Sequence, residues 1–427
     1  MEFLVVGLNH RTAPLEVREK LSLSTDGLYS GLKAMETYDV PGAILSTCNR
    51  SEFYAMEPGE TQGSLVAWGV GDQRIKQFLV DYFDVPLVEL ERYLYVYRER
   101  DCIRHLFRVV SGLDSMVLGE EQIVGQVRDA LEAAANTGTI AGPLSHLFQQ
   151  ALRVGRRVRR QSGIGRNALS VSRACVELAK SSLGNLGGLK AMVVGAGDAG
   201  GLAAEVLNLS GVKDITVTNR TYSRAVELAN TLSGQAIPFQ DMPQALGNAD
   251  LVIASTGSPG YVLEANMVRN AMVGRPDRPM FLMDIAVPRD IDPAAGQIPN
   301  VFLHDVDDLN EAAEARRQDK AREVQWAEEL VEEEVLELLD WCRVEQARPT
   351  VIALRDKAEK IREEELSKTF RKLQRDLSPE QRAALEAMSR SIVKKLLHGP
   401  TVYLKGQRNS SDFHTAREIF QLPEEEN

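Results

Sequence analysis

A glycine-rich turn between an apolar strand and a helix is the feature that most constrains the fold of this chain. The turn follows the apolar run AMVV and precedes the helical run AGGLAAEVL. In such a turn the first glycine allows a tight bend, the second lets a pyrophosphate approach the backbone, and the third permits close helix–strand packing. The free N–H groups of the helix N-terminus favour phosphate. The cofactor-binding residues predicted here are Gly195, Ala196, Gly197, Asp198, Ala199 and Gly200.

The end of the next strand indicates which dinucleotide binds. An NAD site places Asp or Glu about 20 residues after the glycines, where its carboxylate binds the ribose hydroxyls. This chain has Thr218-Asn219-Arg220-Thr221 there, with no carboxylate. Because a guanidinium pairs with a 2′-phosphate, we expect NADPH, with Asn219 and Arg220 among its binding residues.

The pattern of apolar runs divides the 427 residues into three predicted domains. Residues 1–160 mix short strands and helices, which is typical of an α+β domain. Residues 161–309 alternate five apolar strands with helices, which predicts a parallel Rossmann-type sheet. Residues 310–427 are predicted to be helical, with a packing seam at Val324, Val331, Val335, Leu338 and Cys342 and a break or kink at Pro349. The fold class is therefore α/β multidomain.

Charge is distributed unevenly along the chain. The formal net charge of −11 argues against non-specific binding of nucleic acid. Residues 348–408, however, hold 15 basic and 8 acidic side chains, and a second basic cluster comprises Arg153, Arg156, Arg157, Arg159 and Arg160. Either surface fits a solvated helix face or a contact with phosphates.

Cysteine spacing and hydropathy bear on the compartment. The four cysteines are far apart and form no CxxC pair, which favours a reducing cytoplasm and predicts no metal site. No run of about 18 apolar residues occurs, so we expect no membrane segment.

Cys48 is the candidate nucleophile. It follows the apolar strand AILS and precedes Arg50, and a nearby guanidinium eases ionisation of a thiol. Cys102, Cys175 and Cys342 lie in helical patterns and are assigned to the core. A thiolate and a hydride donor together suggest reduction of an acyl group through a thioester. An NADP-dependent dehydrogenase of a small metabolite and a dimeric tRNA-binding scaffold are the alternatives.

Five segments carry a resemblance to a known family. They are GLNHRTAPLEVRE at 7–19, STCNRSEFYA at 46–55, RHLFRVVSGLDSMVLGEEQIVGQV at 104–127, LSVSRACVELA at 169–179 and VVGAGDAG at 193–200. Over its whole length the chain resembles the glutamyl-tRNA reductases. The resemblance implies NADPH-dependent reduction of L-glutamyl-tRNA(Glu) to glutamate-1-semialdehyde, the first step of tetrapyrrole (porphyrin, 5-aminolevulinate) synthesis from glutamate.

The resemblance also implies roles for individual residues. Cys48 matches the nucleophile, and His105 matches a histidine that is important for activity. His105 would assist the thiol, protonate the leaving oxygen or order the site, and we assign His10 to structural support nearby. The residues that match the glutamate pocket are Thr47, Asn49, Arg50, Ser115, Glu120, Glu121, Gln122 and Gln126.

The side chains of this implied pocket suit the charged groups of a glutamate substrate. Arg50 would grip the substrate carboxylate, and Glu120 or Glu121 would face its ammonium. Ser115, Gln122 and Gln126 would share one helical face if that segment is helical. The family often has a proline where this chain has Glu121, so we expect the backbone hydrogen bonding to differ there.

The resemblance further implies how the chain assembles. It predicts a homodimer formed by an all-α C-terminal domain, with a long helix linking the domains. The basic segments would contact tRNA, and glutamate-1-semialdehyde aminomutase, the next enzyme of the pathway, is a candidate partner.

Overall fold

The computed structural model describes residues 2–57, 70–165, 171–275, 277–309, 320–373, 377–407 and 410–423. These residues form two compact units, one within residues 2–332 and the other within residues 333–423. None of the helices described is both long enough and apolar enough to cross a membrane.

The first part of the larger unit is built on a four-stranded antiparallel sheet. The strands are β1 (Glu2–Asn9), β2 (Gly42–Thr47), β3 (Arg50–Glu57) and β4 (Tyr95–Arg98). Their order in the sheet is β2-β3-β1-β4, and β1 is buried along its whole length because it lies inside the sheet. The helices are α1 (Leu15–Lys20), α2 (Thr25–Thr37), α3 (Gly71–Phe83), α4 (Leu87–Leu90), α5 (Glu99–Val110), α6 (Gln122–Thr137) and α7 (Gly142–Ser162).

The second part of this unit is a six-stranded parallel sheet of the predicted Rossmann type. The strands are β5 (Lys190–Val194), β6 (Asp214–Asn219), β7 (Gln235–Pro238), β8 (Leu251–Ala254), β9 (Met280–Asp284) and β10 (Val301–Asp305). Their order in the sheet is β10-β9-β8-β5-β6-β7, so the strand order reverses beside β5, where such folds bind their ligands. The helices are α8 (Val171–Leu183), α9 (Asp198–Leu209), α10 (Tyr222–Leu232), α11 (Met242–Ala245) and α12 (Ala265–Val273). Short 3-10 helices cover Phe239–Asp241, Leu246–Asn248, Pro293–Gln297 and Val306–Leu309.

Alternation along β5 shows why its sequence is continuously apolar. Ala191 and Val193 belong to one hydrophobic cluster, and Met192 and Val194 to another. Successive side chains of a strand point to opposite faces, so both faces of the sheet are covered. Within the Rossmann part the apolar runs did not indicate β7, because this strand is only partly buried, ends in Pro238 and lies at the sheet edge.

Helices make up the described part of the chain after residue 320. They are α13 (Ala321–Lys372), α14 (Pro379–Gly406) and α15 (Ser410–Ile419). Of the break or kink predicted at Pro349, the break is wrong, because α13 is a continuous helix of 52 residues with Pro349 inside it. Of the predicted seam, Val331, Val335 and Leu338 are buried, whereas the two ends, Val324 and Cys342, are half-buried.

Packing in the smaller unit joins all three helices. Val351 and Leu354 of α13 form a hydrophobic cluster with Leu404 of α14 and Ala416 of α15. A capping box at Ser378 and Gln381 starts α14, with each side chain bonded to the other residue's backbone N–H. The fold class predicted from the sequence, an α+β part followed by a Rossmann part and a helical part, is confirmed.

Candidate active site

Cys48 lies in a two-residue turn that joins β2 to β3. The hydroxyl of Thr47 accepts hydrogen bonds from the backbone N–H groups of Asn49 (3.1 Å) and Arg50 (3.2 Å). The Asn49 carbonyl accepts a third bond from the His10 N–H at 2.9 Å. Because short polar contacts fix the turn, the half-buried Cys48 is held at the end of the sheet.

A buried charge network lies below this turn. Arg50, Glu52 and Tyr54 alternate along β3 and therefore share one face. Glu52 is fully buried and accepts bonds from Arg50 Nη1, Tyr95 OH and Tyr54 OH, each at 2.6 Å. Burial alone would raise the pKa of Glu52, but Arg50 and His105 bring it well below its usual range. Glu52 is therefore a permanent carboxylate.

His105 contacts this network from α5. Its Nε2 lies 2.8 Å from Glu52 Oε1, and its ring packs 5.2 Å from the ring of Tyr95 and 5.0 Å from that of Tyr97. The ring nitrogen that points at Glu52 is thus already engaged. Of the three roles predicted for His105, this geometry favours ordering the site.

Arg50 is committed to two carboxylate residues. Its Nη2 donates to the Asp114 carbonyl at 2.6 Å, and its Nη1 lies 3.2 Å from Asp114 Oδ2 and 2.6 Å from Glu52 Oε1. Only 2% of Arg50 is exposed. Binding of a substrate carboxylate by Arg50 stays a prediction. For that contact Arg50 would have to use the N–H donors that are not engaged in these bonds.

The environment of the Cys48 thiol disfavours its ionisation. Burial raises its pKa to about 12, the negative charge of Glu120 adds to the rise, and Arg18 and Arg50 oppose it. Arg50 acts in the predicted direction, but the prediction of an easily ionised thiol is wrong for the free protein. Desolvation and Glu120 outweigh both guanidinium groups.

Residues 111–121 form a non-helical segment that brings two pocket residues into the interior. Ser115 and Glu120 are buried there, and α6 begins only at Gln122. The prediction that Ser115 shares a helical face with Gln122 and Gln126 is therefore wrong. Gln122 is exposed and Gln126, one turn later, is half-buried.

The two adjacent glutamates differ sharply in environment. Burial raises the pKa of Glu120 to about 7, against the opposing effects of the Val171 N–H and Arg159. Glu121 points into solvent, with 91% of its side chain exposed. Glu120 is thus the member of the pair whose charge changes near neutral pH.

One arginine of the predicted basic cluster serves the site. Arg159 donates to the Glu120 carbonyl and is half-buried, whereas Arg153, Arg156 and Arg160 are exposed on α7. Arg159 therefore supports the backbone here, and its contact with a phosphate stays a prediction.

The glycine turn in the Rossmann part has room for a ligand on one side. Gly195 has φ +106°, and a Cβ there would lie 2.1 Å from the Ser255 carbonyl oxygen. A Cβ at Gly200 would lie 2.3 Å from the Gly195 carbonyl oxygen, but a Cβ at Gly197 would meet nothing within 4 Å. Gly195 and Gly200 are thus needed for packing, and Gly197 leaves the space that a pyrophosphate requires.

The residues around the turn complete this candidate cofactor site. Gly197 caps α9, whose exposed first residue is Asp198, and Ala196 and Ala199 pack against the core. Asn219 Oδ1 accepts from the Ala196 N–H at 3.3 Å, so Asn219 braces the turn. Arg220 is exposed at the end of β6. This donor set fits a dinucleotide with an extra phosphate on its ribose.

Sequence analysis missed Glu52, Asp114 and Arg18. Glu52 could have been found, because Arg50, Glu52 and Tyr54 recur with the two-residue period of a strand. Asp114 and Arg18 contact the site from distant segments and carry no local signal. Among the described residues, no group of three or more His, Cys, Asp or Glu side chains is placed to hold a metal.

Comparisons with known proteins agree with this architecture. The family described as "Glutamyl-tRNAGlu reductase, N-terminal domain" matches residues 6–162, "Shikimate / quinate 5-dehydrogenase" matches 177–312, and "Glutamyl-tRNAGlu reductase, dimerisation domain" matches 326–422. A glutamyl-tRNA reductase of Pelobacter propionicus is 42% identical, with 99% of this chain and 96% of the relative covered. One of Thermodesulfovibrio yellowstonii is 37% identical over all of both chains.

The fold is also similar to that of a solved structure. The glutamyl-tRNA reductase of Methanopyrus kandleri is 30% identical and superposes with a TM-score of 0.52, covering 98% of this chain and 99% of that one. The match of residues 177–312 to a dehydrogenase family model supports a nicotinamide cofactor. Together with the full-length relatives, these matches show that the chain is an oxidoreductase of the glutamyl-tRNA reductase family.

Proposed function

We propose that this chain reduces L-glutamyl-tRNA(Glu) to glutamate-1-semialdehyde with NADPH, through a thioester on Cys48, as the first step of tetrapyrrole synthesis. The observation that carries the proposal is the position of Cys48. Cys48 is a half-buried thiol on a hydrogen-bonded turn, and the charges of Glu120 and Arg50 act on it. The same chain contains a Rossmann-type sheet of the kind that binds nicotinamide dinucleotides.

The first half of the reaction is an acyl transfer to Cys48. Its Sγ attacks the ester carbonyl carbon, the C–S bond replaces the C–O bond to tRNA, and the thiol proton leaves with that oxygen. Glu120 pairs with the substrate ammonium. Because the charge of Glu120 raises the pKa of the Cys48 thiol, this pairing removes part of the barrier to ionisation.

The second half returns Cys48 to its thiol form. Gly197 and the N-terminus of α9 would hold the cofactor phosphates, and Arg220 the 2′-phosphate that distinguishes NADPH. NADPH, when bound, supplies the hydride that converts an acyl group into an aldehyde. The C–S bond breaks, the Cys48 sulfur takes up a proton, and glutamate-1-semialdehyde leaves.

The other predicted site residues keep supporting roles in this proposal. Thr47 fixes the turn, Asn49 is a buried residue of the turn itself, and Ser115 is buried in the non-helical segment before α6. Gln122 and Gln126 supply neutral hydrogen bonds at the pocket rim. His105 is a positioning residue, which holds Glu52 and through it Arg50.

Assembly into a homodimer is part of the proposal. Residues 326–422 match a family dimerisation domain, and the smaller unit exposes apolar side chains such as Ile352, Ile361 and Leu396. The exposed arginines of α7 and the basic stretch 348–408 are the proposed tRNA contacts. The domain boundaries after residues 160 and 309 and the partnership with glutamate-1-semialdehyde aminomutase stay predictions.

The test uses the full chain with charged tRNA. We expect NADPH oxidation that requires charged tRNA, loss of it in Cys48→Ser, and retention in Cys342→Ser, which alters the other half-buried cysteine. Without NADPH, mass spectrometry should find glutamate attached to Cys48. Normal turnover without that adduct would contradict the thioester.

The same assay separates the alternatives. NADPH oxidation that is indifferent to tRNA would favour a dehydrogenase of a small metabolite. Binding of tRNA without any oxidation would favour a scaffold.

A further inference from the structure

Helix α1 connects the Cys48 turn to the Rossmann part of the same unit. The helix has only six residues, Leu15–Lys20, but three of its charged side chains reach across to residues beyond position 280. They are Glu16, Arg18 and Glu19. Neighbouring side chains of one short helix therefore link two parts of the chain that are far apart in sequence.

Arg18 makes the most direct connection. Its Nη1 donates to the Cys48 carbonyl oxygen at 2.7 Å, and its Nη2 pairs with Asp307, just after β10. Only 2% of Arg18 is exposed. A buried guanidinium that is held at one end by a carboxylate presents its other end with little freedom. The backbone of the nucleophile's turn is thus tied to a residue of the cofactor-binding part.

A second contact stabilises the same helix. The Arg289 guanidinium donates to both carboxylate oxygens of Glu19, each at 3.0 Å, and its backbone N–H donates to Glu19 at 2.6 Å. The loop that carries Arg289 is itself fixed, because Asp284 accepts backbone N–H bonds from Ala286 and Ile291. The loop after β9 therefore anchors α1 beside Arg18.

We propose that Arg18 is a positioning residue through which Asp307 of the cofactor-binding part controls the reactivity of Cys48. Asp307 orients Arg18, and Arg18 holds the carbonyl of Cys48 and places a positive charge near its thiol. Acyl transfer would then be efficient only while the cofactor-binding part is docked on α1. The inference rests on the proposed function, because it takes Cys48 as the nucleophile.

The direct test measures Cys48 in the full chain with Asp307→Asn, Arg18→Lys and Arg18→Gln. The readouts are the rate of Cys48 alkylation by iodoacetamide across pH, followed by mass spectrometry of its peptide, and the rate of glutamyl transfer from charged tRNA without NADPH. The charged groups that act on the Cys48 thiol are Glu120, Arg18 and Arg50. Lys20→Gln is the matched control, since Lys20 is on the same helix but pairs with Glu89.

We expect both rates to fall at least about tenfold in Arg18→Gln and Asp307→Asn, with partial recovery in Arg18→Lys and no change in Lys20→Gln. Unchanged rates in Asp307→Asn, with its fold intact by circular dichroism, would overturn the proposal even if Arg18→Gln fails to fold. A wild-type chain that turns over without ever forming the Cys48 adduct would instead refute the proposed function.

Discussion

Replacing Glu120 with Gln should change how stability depends on pH. Burial raises the pKa of Glu120 from 4.5 to about 7, so between these values the folded chain binds a proton that the unfolded chain has released. Stability from this group is therefore lost as pH rises from about 4.5 to 7. At about 1.4 kcal/mol per pKa unit, the loss is about 3 kcal/mol at pH 8.

Gln keeps an oxygen for the Val171 N–H but has no proton to lose. The free energy of unfolding, measured by denaturant titration from pH 4 to 8, should therefore fall less with pH in Glu120→Gln than in wild type. Taking the difference cancels other buried acids, such as Asp284, whose pKa is raised to about 8. Glu121→Gln is the control, because that side chain is exposed. Parallel pH profiles of wild type and Glu120→Gln would refute the reasoning.

Three further substitutions test separate parts of the chain. Arg220→Asp should move cofactor preference from NADPH toward NADH, measured as the ratio of kcat/KM values, and an unchanged ratio would exclude a 2′-phosphate contact. Gly197→Ala should weaken NADPH binding about tenfold without lowering the unfolding temperature. Gly200→Ala should lower both the affinity for NADPH and the unfolding temperature, because a Cβ at Gly200 meets backbone whereas one at Gly197 does not. Glu52→Gln should cost about 3–5 kcal/mol of unfolding free energy, since it leaves the buried Arg50 short of a partner, and a loss below about 1 kcal/mol would contradict that account.

Local patterns in the sequence were enough to predict the Rossmann part. The glycine turn, the strands on either side of it and the end of β6, where the acid is absent, lie within about 30 residues, which is the span of one βαβ unit. The strand missed in this part, β7, lies at the sheet edge, is only partly buried and ends in Pro238, so it lacks the apolar run that marks the other strands. At Pro349 a local signal predicted a helix end that the structure does not have. Packing of the neighbouring residues of α13 outweighs the local effect of the proline.

The candidate site was only partly predictable, because its electrostatics depend on burial and distant partners. Cys48 and Arg50 were predicted as site residues because they lie two positions apart in the sequence. The predicted direction of their interaction was right, since Arg50 lowers the pKa of the Cys48 thiol. The net ionisation of the thiol was not, since it depends on desolvation and on Glu120. The contact of Arg18 with Asp307 joins residues 289 positions apart, and no pattern in one sequence specifies such a pairing.

Two kinds of charge surround Cys48, and they have different consequences. Glu52 and Asp114 hold pKa values below the usual range beside Arg50, so these three groups keep their charges at any physiological pH. Arg50 is thus paired with two carboxylates, which offset its positive charge. Glu120 is different, because its pKa lies near neutrality and its charge opposes ionisation of Cys48. In the proposed reaction the reactivity of the thiol therefore depends on the partner of Glu120 as well as on Arg18, and a substrate that brings an ammonium group to Glu120 would make its own nucleophile easier to ionise.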